Sequence, residues 1–578
     1  MTSRAALPLA VLFLVACGGE APPPQPPPPP APEPPPTASA TPTPAPEPQS
    51  AVPATVASLG VGAMIFDDLG TWHRDVTATP EAGPYFDQGL RLDYGFNHDE
   101  SVRSFARAAQ LDPTCALCFW GVSLALGPNY NMPMMPERAK AAWDALQAAI
   151  AAAPKAKPVE QALIGALAKR YKSAEPLDAA QMAPFNKAYA DAMRDVAKQY
   201  PDDEDVQVLF AEAMMDTNPW KLWTLDGQAA PGTDDIVATL ERVLAKDAKH
   251  PGANHYYIHA IEASPHPEKA LPSADRLAGL MPGAGHIVHM PAHIYQRVGR
   301  YADASATNEK AIAADKAYVQ KTKPPGYYGM YQAHNYGFLA FSESMEGRGN
   351  DCVAAARSAA SVMTPEMMDA MPGMDFGVTE PLLAMVRFGR WDDLLKEPKP
   401  DEKYTILTAF WLHARGMALA ARGYYPDAHA ALQQLQKLAS SAAADLQVGA
   451  ANTAPGVFGV AAKILEARLA TLEKSKDALA LWADAVARAD KLAYDEPDDW
   501  FYPVRHFQGA ALLGAHKAKE AEAVYREDLR RHPHNGWALF GLWQSLAAQG
   551  KAKDAKAAKK EFDAAWAKAD VKLEASAF

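Results

Sequence analysis

Between about residues 85 and 113 the apolar positions recur three and four apart, in two runs split by Gly95-Phe96-Asn97-His98-Asp99. That period with a polar, turn-forming interruption predicts two amphipathic helices joined by a tight turn, and Asp112-Pro113 closes the second. Small residues Gly89, Ser101 and Ala108 fall where the two helices must approach closely, and Phe105 has the bulk to fill the gap between them. The same pattern returns from Pro251 to Pro282 with Ala270, and from Gly285 through Gly299, Tyr301, Ala304 and Ala311. It returns again around Gly423 to Ala428, at Ala521 with Tyr525 and Pro533, and at Gly550 with Ala555. Alternating β-branched runs are almost absent, so the fold class is all-α.

These hairpins resemble the tetratricopeptide repeat (TPR), whose helices carry small residues and a closing proline at such places. The resemblance covers most of residues 85–565, with less regular stretches near 150–200 and 440–490. It implies a right-handed superhelical solenoid of TPR-like helical hairpins with a concave groove that takes a protein or peptide partner. The pattern speaks strongly for architecture and hardly at all for function, because the fold is a generic scaffold.

The N-terminus bears on location. Arg4 precedes an apolar run, Ala5 to Ala16, too short to span a bilayer as a mature helix and matching an export signal. Leu14-Val15-Ala16-Cys17 resembles the lipobox of bacterial lipoproteins, which implies cleavage after residue 16 and acylation of Cys17. Residues 17–50 are the acylated cysteine and a proline-rich tether with no apolar periodicity, extended at about 3.1 Å per residue. Residues 51–578 are the TPR-like domain. The expected location is the cell envelope, at the outer membrane or the periplasmic face, with membrane contact through the lipid anchor only.

Charge and cysteines narrow the classes. The formal net charge is −12 and the acidic residues are scattered; with no basic patch to read, no nucleic-acid partner is expected. With four cysteines in all, only three remain after Cys17, which excludes a disulfide framework. Cys115-Ala116-Leu117-Cys118 is followed by Phe119 rather than His, so it does not read as a haem attachment. A local disulfide and two packed small residues both fit; Cys352 is expected to be buried.

Candidate chemistry concentrates between Asn254 and Arg300, which holds six of the sixteen histidines. His255 and His259 are four apart, as are His289 and His293, and the second pair follows the first by 34 residues (289 − 255, 293 − 259). Thirty-four is the TPR period. In the repeat frame His255, His259, His286, His289, His293 and His334 line the groove, while Tyr257, Ile258, Ile261, Val288, Ala292 and Tyr295 take core positions. Glu212 falls beside His259. Residues four apart on a helix lie about 6 Å apart on one face, so two neighbouring helices can converge imidazoles on an ion. Imidazole suits zinc, copper, iron and nickel, and Glu212 adds an oxygen ligand. Neutral histidines lining a peptide groove are the alternative. Pro291 breaks or kinks the helix between His289 and His293; if the helix starts near Met290, His286 and His289 lie in its entry loop.

Secondary features surround this cluster. Asp216 to Thr233 is longer than a repeat turn requires and carries Trp220 and Trp223, which fit either an aromatic lid over the groove or packing on the outside. Tyr327, Tyr328 and Tyr331 precede His334 and line the same mouth. Met368, Met371 and Met374, and Met132 to Met135, fit soft-metal ligation or a flexible apolar gap-filler. No nucleophile elbow, phosphate-binding glycine loop or kinase motif appears, and His255-to-His259 lacks the glutamate of a metalloprotease helix. Two readings follow. One is an envelope-anchored binding scaffold with a transition metal (Zn, Cu or Fe) in its groove. The other is a metal-dependent enzyme, hydrolytic or oxidative, with Glu212 or Glu262 as base.

Overall fold

Phe105 sets the spacing of the first hairpin. Gly83–Tyr94 (α1) and His98–Leu111 (α2) are joined through Phe96, which takes a left-handed backbone (φ 54), and the Asn97 side chain caps α2. A Cβ added at Gly89 would lie 2.7 Å from the Phe105 ring, and one at Gly121, on the next helix, 2.5 Å from it. The aromatic therefore stands between two helices that approach only because both lack a side chain there. Tyr525 stands in the same way between Gly509 and Gly541, and every one of these glycines is 16 residues from its aromatic (105 − 89, 121 − 105, 525 − 509, 541 − 525). The repeat is thus the same packing device at both ends of the domain.

This computed structural model describes residues 52–324, 328–370 and 372–578. The signal (1–16), Cys17 and the tether to residue 50, together with Tyr327 and Met371, lie outside the described residues. Consecutive helices pack on one another from Gly83 to Ala565, in an all-α solenoid of TPR-like hairpins. The named strands among the described residues are two short segments, Gln447–Val448 and Asn452–Thr453, paired antiparallel. The less regular stretches are still helical, with Ala179–Gln199 the long helix of the first. Cys115 and Cys118 form a disulfide at the start of Ala116–Leu126, and Cys352 is buried. No helix among the described residues is long and apolar enough to cross a membrane.

The core divides into two large apolar clusters, one drawn from residues between Val52 and Phe338 and one from residues between Tyr301 and Leu573. Two helices contribute to both, Tyr301–Thr322 and Gly329–Met345. The histidine cluster lies along this seam.

Within the second cluster His413 is fully buried on Thr405–Ala421. Its Nδ1–H donates to Ala461 O (2.9 Å) and its Nε2 accepts from the Tyr502 hydroxyl (2.8 Å), an arrangement that requires the neutral ring. Burial pushes its pKa down to about 4.

Two predictions follow from this packing. Gly121→Ala is expected to cost about 1–3 kcal/mol by overpacking. Gly165→Ala, where an added Cβ meets nothing within 4 Å, is expected to be neutral or to gain up to about 1 kcal/mol; equal effects in urea unfolding would refute the steric account. For His413, the folded pKa lies below the unfolded value of about 6.5. Its contribution is therefore complete above that pH and is lost as pH falls toward 4. His413→Gln should flatten the stability-versus-pH slope in that window by up to about one proton, and an unchanged slope would show that the ring is not neutral in the folded protein.

Candidate metal centre

The first pair of histidines is placed by the start of Pro251–Ile261 (α3). His250 caps this helix through its ring, accepting from Ala253 N (3.2 Å), and Pro251 fills the first position, where a missing N–H costs nothing. Gly252 lets α3 close on Tyr94, whose ring would lie 2.6 Å from a Cβ there. As a result His255 Nδ1 sits 2.6 Å from Tyr94 O, one of the carbonyls left free at the C-terminus of α1. One turn on, His259 Nδ1 is 3.0 Å from Glu262 Oε1.

Pro291 divides the next segment into Gly285–His289 (α4) and Pro291–Arg297 (α5). Met290 between them keeps helical angles (φ −52, ψ −33), so the chain bends without leaving the helical path. His286 and His289 therefore lie on a helical turn rather than in an entry loop. On Tyr301–Thr322 (α6), Asn308 gives its amide nitrogen to Ala304 O (2.9 Å), which turns its Oδ1 toward His289 Nδ1 at 2.7 Å. His293 Nδ1 faces two carboxylates, Glu262 Oε2 at 2.8 Å and Glu496. His334 comes from Gly329–Met345 (α7), its ring 4.8 Å from that of His289.

Three groups of potential ligand atoms result, each with its atoms within 4.8 Å of one another: His255, His259 and His286; His289, His293 and His334; and Glu262, His293 and Glu496. All of these side chains are buried except His334, which is partly exposed. Inside the triads the Nε2 atoms of His255 and His286 are 3.2 Å apart, and those of His289 and His293 2.8 Å. An acceptor at Nδ1 fixes the tautomer: His255, His259 and His289 each hold the proton at Nδ1 and present a bare lone pair at Nε2. Without an ion, N–H···N bonds from His286 and His293 answer two of those lone pairs. His259 Nε2 and His286 Nδ1 have no hydrogen-bond partner among the described residues.

Phe96 packs against His255, His259 and His286, and Phe338 against His289, His293 and His334. Burial pushes the His255, His259, His286 and His289 pKa values well below the usual histidine range, and that of His334 down to about 3. For His293 burial acts the same way but is outweighed by Glu496 and Glu262, which raise it to about 10. Burial raises both carboxylic acids, against the pull of His293. Burial thus favours the neutral form of five rings, while Glu496 and Glu262 favour the charged form of His293.

Glu212 is not among these groups. It is buried with Asp216, which is paired with Arg170 (2.6 Å), and burial and the Asp216 charge raise its pKa. The groove frame put it on the right helix face, but the nearest charges there are those of its own neighbourhood. Glu496 went unread because it stands in a helix-free stretch between Asp490 and Val504, outside any repeat position. The Asp216-to-Thr233 loop folds back over α3: Trp220, itself left-handed (φ 60), stacks on Tyr130 and lies edge-on to His259, and Trp223 Nε1 donates to Ala260 O (2.7 Å). Tyr331 meets the His286 ring, whereas Tyr328 donates to Asp315 (2.8 Å). Met134 packs on the first apolar cluster and Met367 lies beside Gly329.

No protein-family model matches the chain, and no curated protein matches it. Solved structures with a similar course include the human IFIT1 dimer with m7Gppp-AAAA, at 11% identity over 88% of this chain and 95% of that one, with a TM-score of 0.32. The P58(IPK) TPR domain is similar at 12% identity over 82% and 99%, with a TM-score of 0.20. Naa15/Naa10 bound to HypK-THB is similar at 13% over 84% and 70%, also at 0.20. The expectation that no nucleic acid is a partner is corrected. One of the structures with a similar course, the human IFIT1 dimer, was solved with m7Gppp-AAAA, so the exclusion of nucleic acid does not stand. Net charge does not fix local charge: Arg194, Lys198 and Arg242 line one cavity of about 320 Å³ together with Asp235, which pairs with Arg194 (2.8 Å). The histidines themselves are not on an open groove surface but are enclosed by Phe96, Phe338, Tyr130 and the Glu496 segment.

Asn308→Ala removes the acceptor for the buried His289 Nδ1–H. The expected loss is about 1–3 kcal/mol, read by urea unfolding; no loss would mean that His289 takes the other tautomer.

Proposed function

We propose that this protein is a lipid-anchored TPR-like scaffold of the cell envelope that holds a transition metal among its interior histidines. The observation that carries the reading is the set of three buried imidazoles with Nδ1 held by Tyr94 O, Glu262 and Asn308. Metal-ligating histidines are held in this way, with the second nitrogen on a carbonyl or carboxylate and the first free for the ion. The unpartnered His259 Nε2 adds to it, since a bare buried lone pair costs free energy unless a ligand answers it. Neutral imidazoles favour zinc, copper or iron over magnesium or calcium. The Cys115–Cys118 disulfide agrees with an oxidising compartment, and the Ala5-to-Cys17 segment supplies the export signal and anchor.

A second reading, a metal-dependent enzyme, is favoured by Glu262 and Glu496, two carboxylates beside the ligand set with pKa values raised by burial. With an ion held by the histidines to activate water, Glu262 and Glu496 would be placed to take up the proton. Trp220 and Tyr130 then act as the cover over His259 that keeps bulk water out.

The full chain, purified from the membrane fraction of its host, is expected to carry zinc, copper or iron, to lose most of it in His259→Gln, and to leave the membrane fraction in Cys17→Ser. Metal at background level in the unaltered chain, by elemental analysis, overturns the metal reading. A Cys17→Ser chain that stays with the membrane overturns the anchor. Metal-dependent turnover of a small ester or phenol, lost in Glu496→Gln with metal content intact, moves the conclusion to the enzyme.

A further inference from the structure

The six histidines are too many and too widely spread for one ion. A zinc-type ion binds about four ligands at about 2.0–2.1 Å, so its nitrogens stand about 3.3 Å apart. Within the triads the Nε2 pairs are already near that value, at 3.2 and 2.8 Å. Ring centres alone do not divide them, since His259 to His286 within one triad is 6.2 Å and His259 to His293 between the two is 5.8 Å. The ligand atoms do, those of each triad lying within 4.8 Å of one another, with no such group among the described residues drawing histidines from both. The triads are therefore separate ligand sets lying side by side.

Their links to the protein are also separate, with one exception. His255 is held by Tyr94 O and His289 by Asn308, on different helices. Glu262 alone serves both sets: one oxygen meets His259 Nδ1 (3.0 Å) and the other His293 Nδ1 (2.8 Å). Each triad has its own aromatic wall, Phe96 for the first and Phe338 for the second. Neither triad includes a carboxylate.

Resting on the metal-binding reading above, we propose that the cluster is a two-ion centre: His255, His259 and His286 hold one transition-metal ion, and His289, His293 and His334 hold a second. Both sites have imidazole-only coordination, and Glu262 orients one histidine of each; His293 keeps its Nδ1 proton toward Glu262 and Glu496 and releases its Nε2 proton to solvent when the ion binds. Three nitrogens leave each ion an open position. Of the divalent first-row ions, an all-nitrogen set binds Cu²⁺ most tightly. Loading one triad fixes Glu262 and so pre-orients the other, which makes the second ion bind more readily than in a chain lacking that carboxylate.

The test uses the full chain, stripped by chelator, reloaded with Cu²⁺ or Zn²⁺ alone and desalted before elemental analysis. Two equivalents are expected for the unaltered chain, one for His255→Gln, one for His334→Gln, and none for the double variant. Circular dichroism confirms that each variant is folded. In the Cu²⁺ form, electron paramagnetic resonance should show dipolar broadening or signal loss from two neighbouring ions, and a sharp single-ion spectrum in either single variant. One equivalent abolished by both single variants would overturn the two-ion centre and leave the metal-binding reading standing. Two equivalents unaffected by either variant, or an ion kept by the double variant and lost in Glu496→Gln, would also overturn it. No bound metal in the unaltered chain sinks both readings.

Discussion

A buried histidine that gives its Nδ1 proton to a fixed acceptor keeps one lone pair, and that lone pair is costly in a dry interior. Three histidines of this protein are held in that state by a helix-terminal carbonyl, a carboxylate and an oriented amide. Much of the local architecture serves to fix those acceptors. Gly252 brings α3 against Tyr94, the Ala304 carbonyl turns Asn308, and Glu262 follows His259 by three residues so that it shares its helix face. An apolar core of equal volume would be simpler to stabilise. The protein instead keeps a polar cluster whose members answer one another only in part, which is the mark of a site selected for something other than stability.

The cluster lies where the two large apolar cores share α6 and α7. One wall is Phe96 on the N-terminal hairpin, the other Phe338 on the shared helix, and Glu496 arrives from the C-terminal half. Removing either half would expose the histidines and leave their acceptors unsupported. The seam thus couples the state of the site to the packing of the whole solenoid. Any ion or ligand that binds there stabilises the folded chain by mass action.

Much of this was legible in the sequence, and what was not has a physical cause. The helical period and the small residues around Phe105 specify the hairpins, because close helix approach demands particular side chains at particular positions. The interval between His255 and His289 identified equivalent positions on adjacent repeats. Pro291 does divide the helix, yet Met290 stays helical and the ring spacing of His289 and His293 (4.7 Å) matches that of His255 and His259 (4.9 Å). Glu212 was drawn to the site by a frame that knows faces but not neighbours; Arg170 and Asp216 hold it elsewhere. Glu496 lies about two hundred residues from His293 in an irregular stretch, and no periodicity points from one to the other. Asn308 is one polar residue among many on its helix, and only the orientation of its amide gives it a part.

Repetition and its interruption contribute differently. Stacked equivalent helices place imidazoles at equal heights, which is why two triads form side by side. Perfect repetition would have made them identical, open to the concave face and free of carboxylates. Pro291, the Trp220 loop and the Glu496 segment are the places where the chain departs from the repeat, and each changes the chemistry. The first divides the helix that carries His289 and His293, the second sets Trp220 and Tyr130 against His259, and the third adds a second carboxylate to His293 alone. The triads therefore differ: His255 of the first rests on a backbone carbonyl, whereas His293 of the second faces two acids.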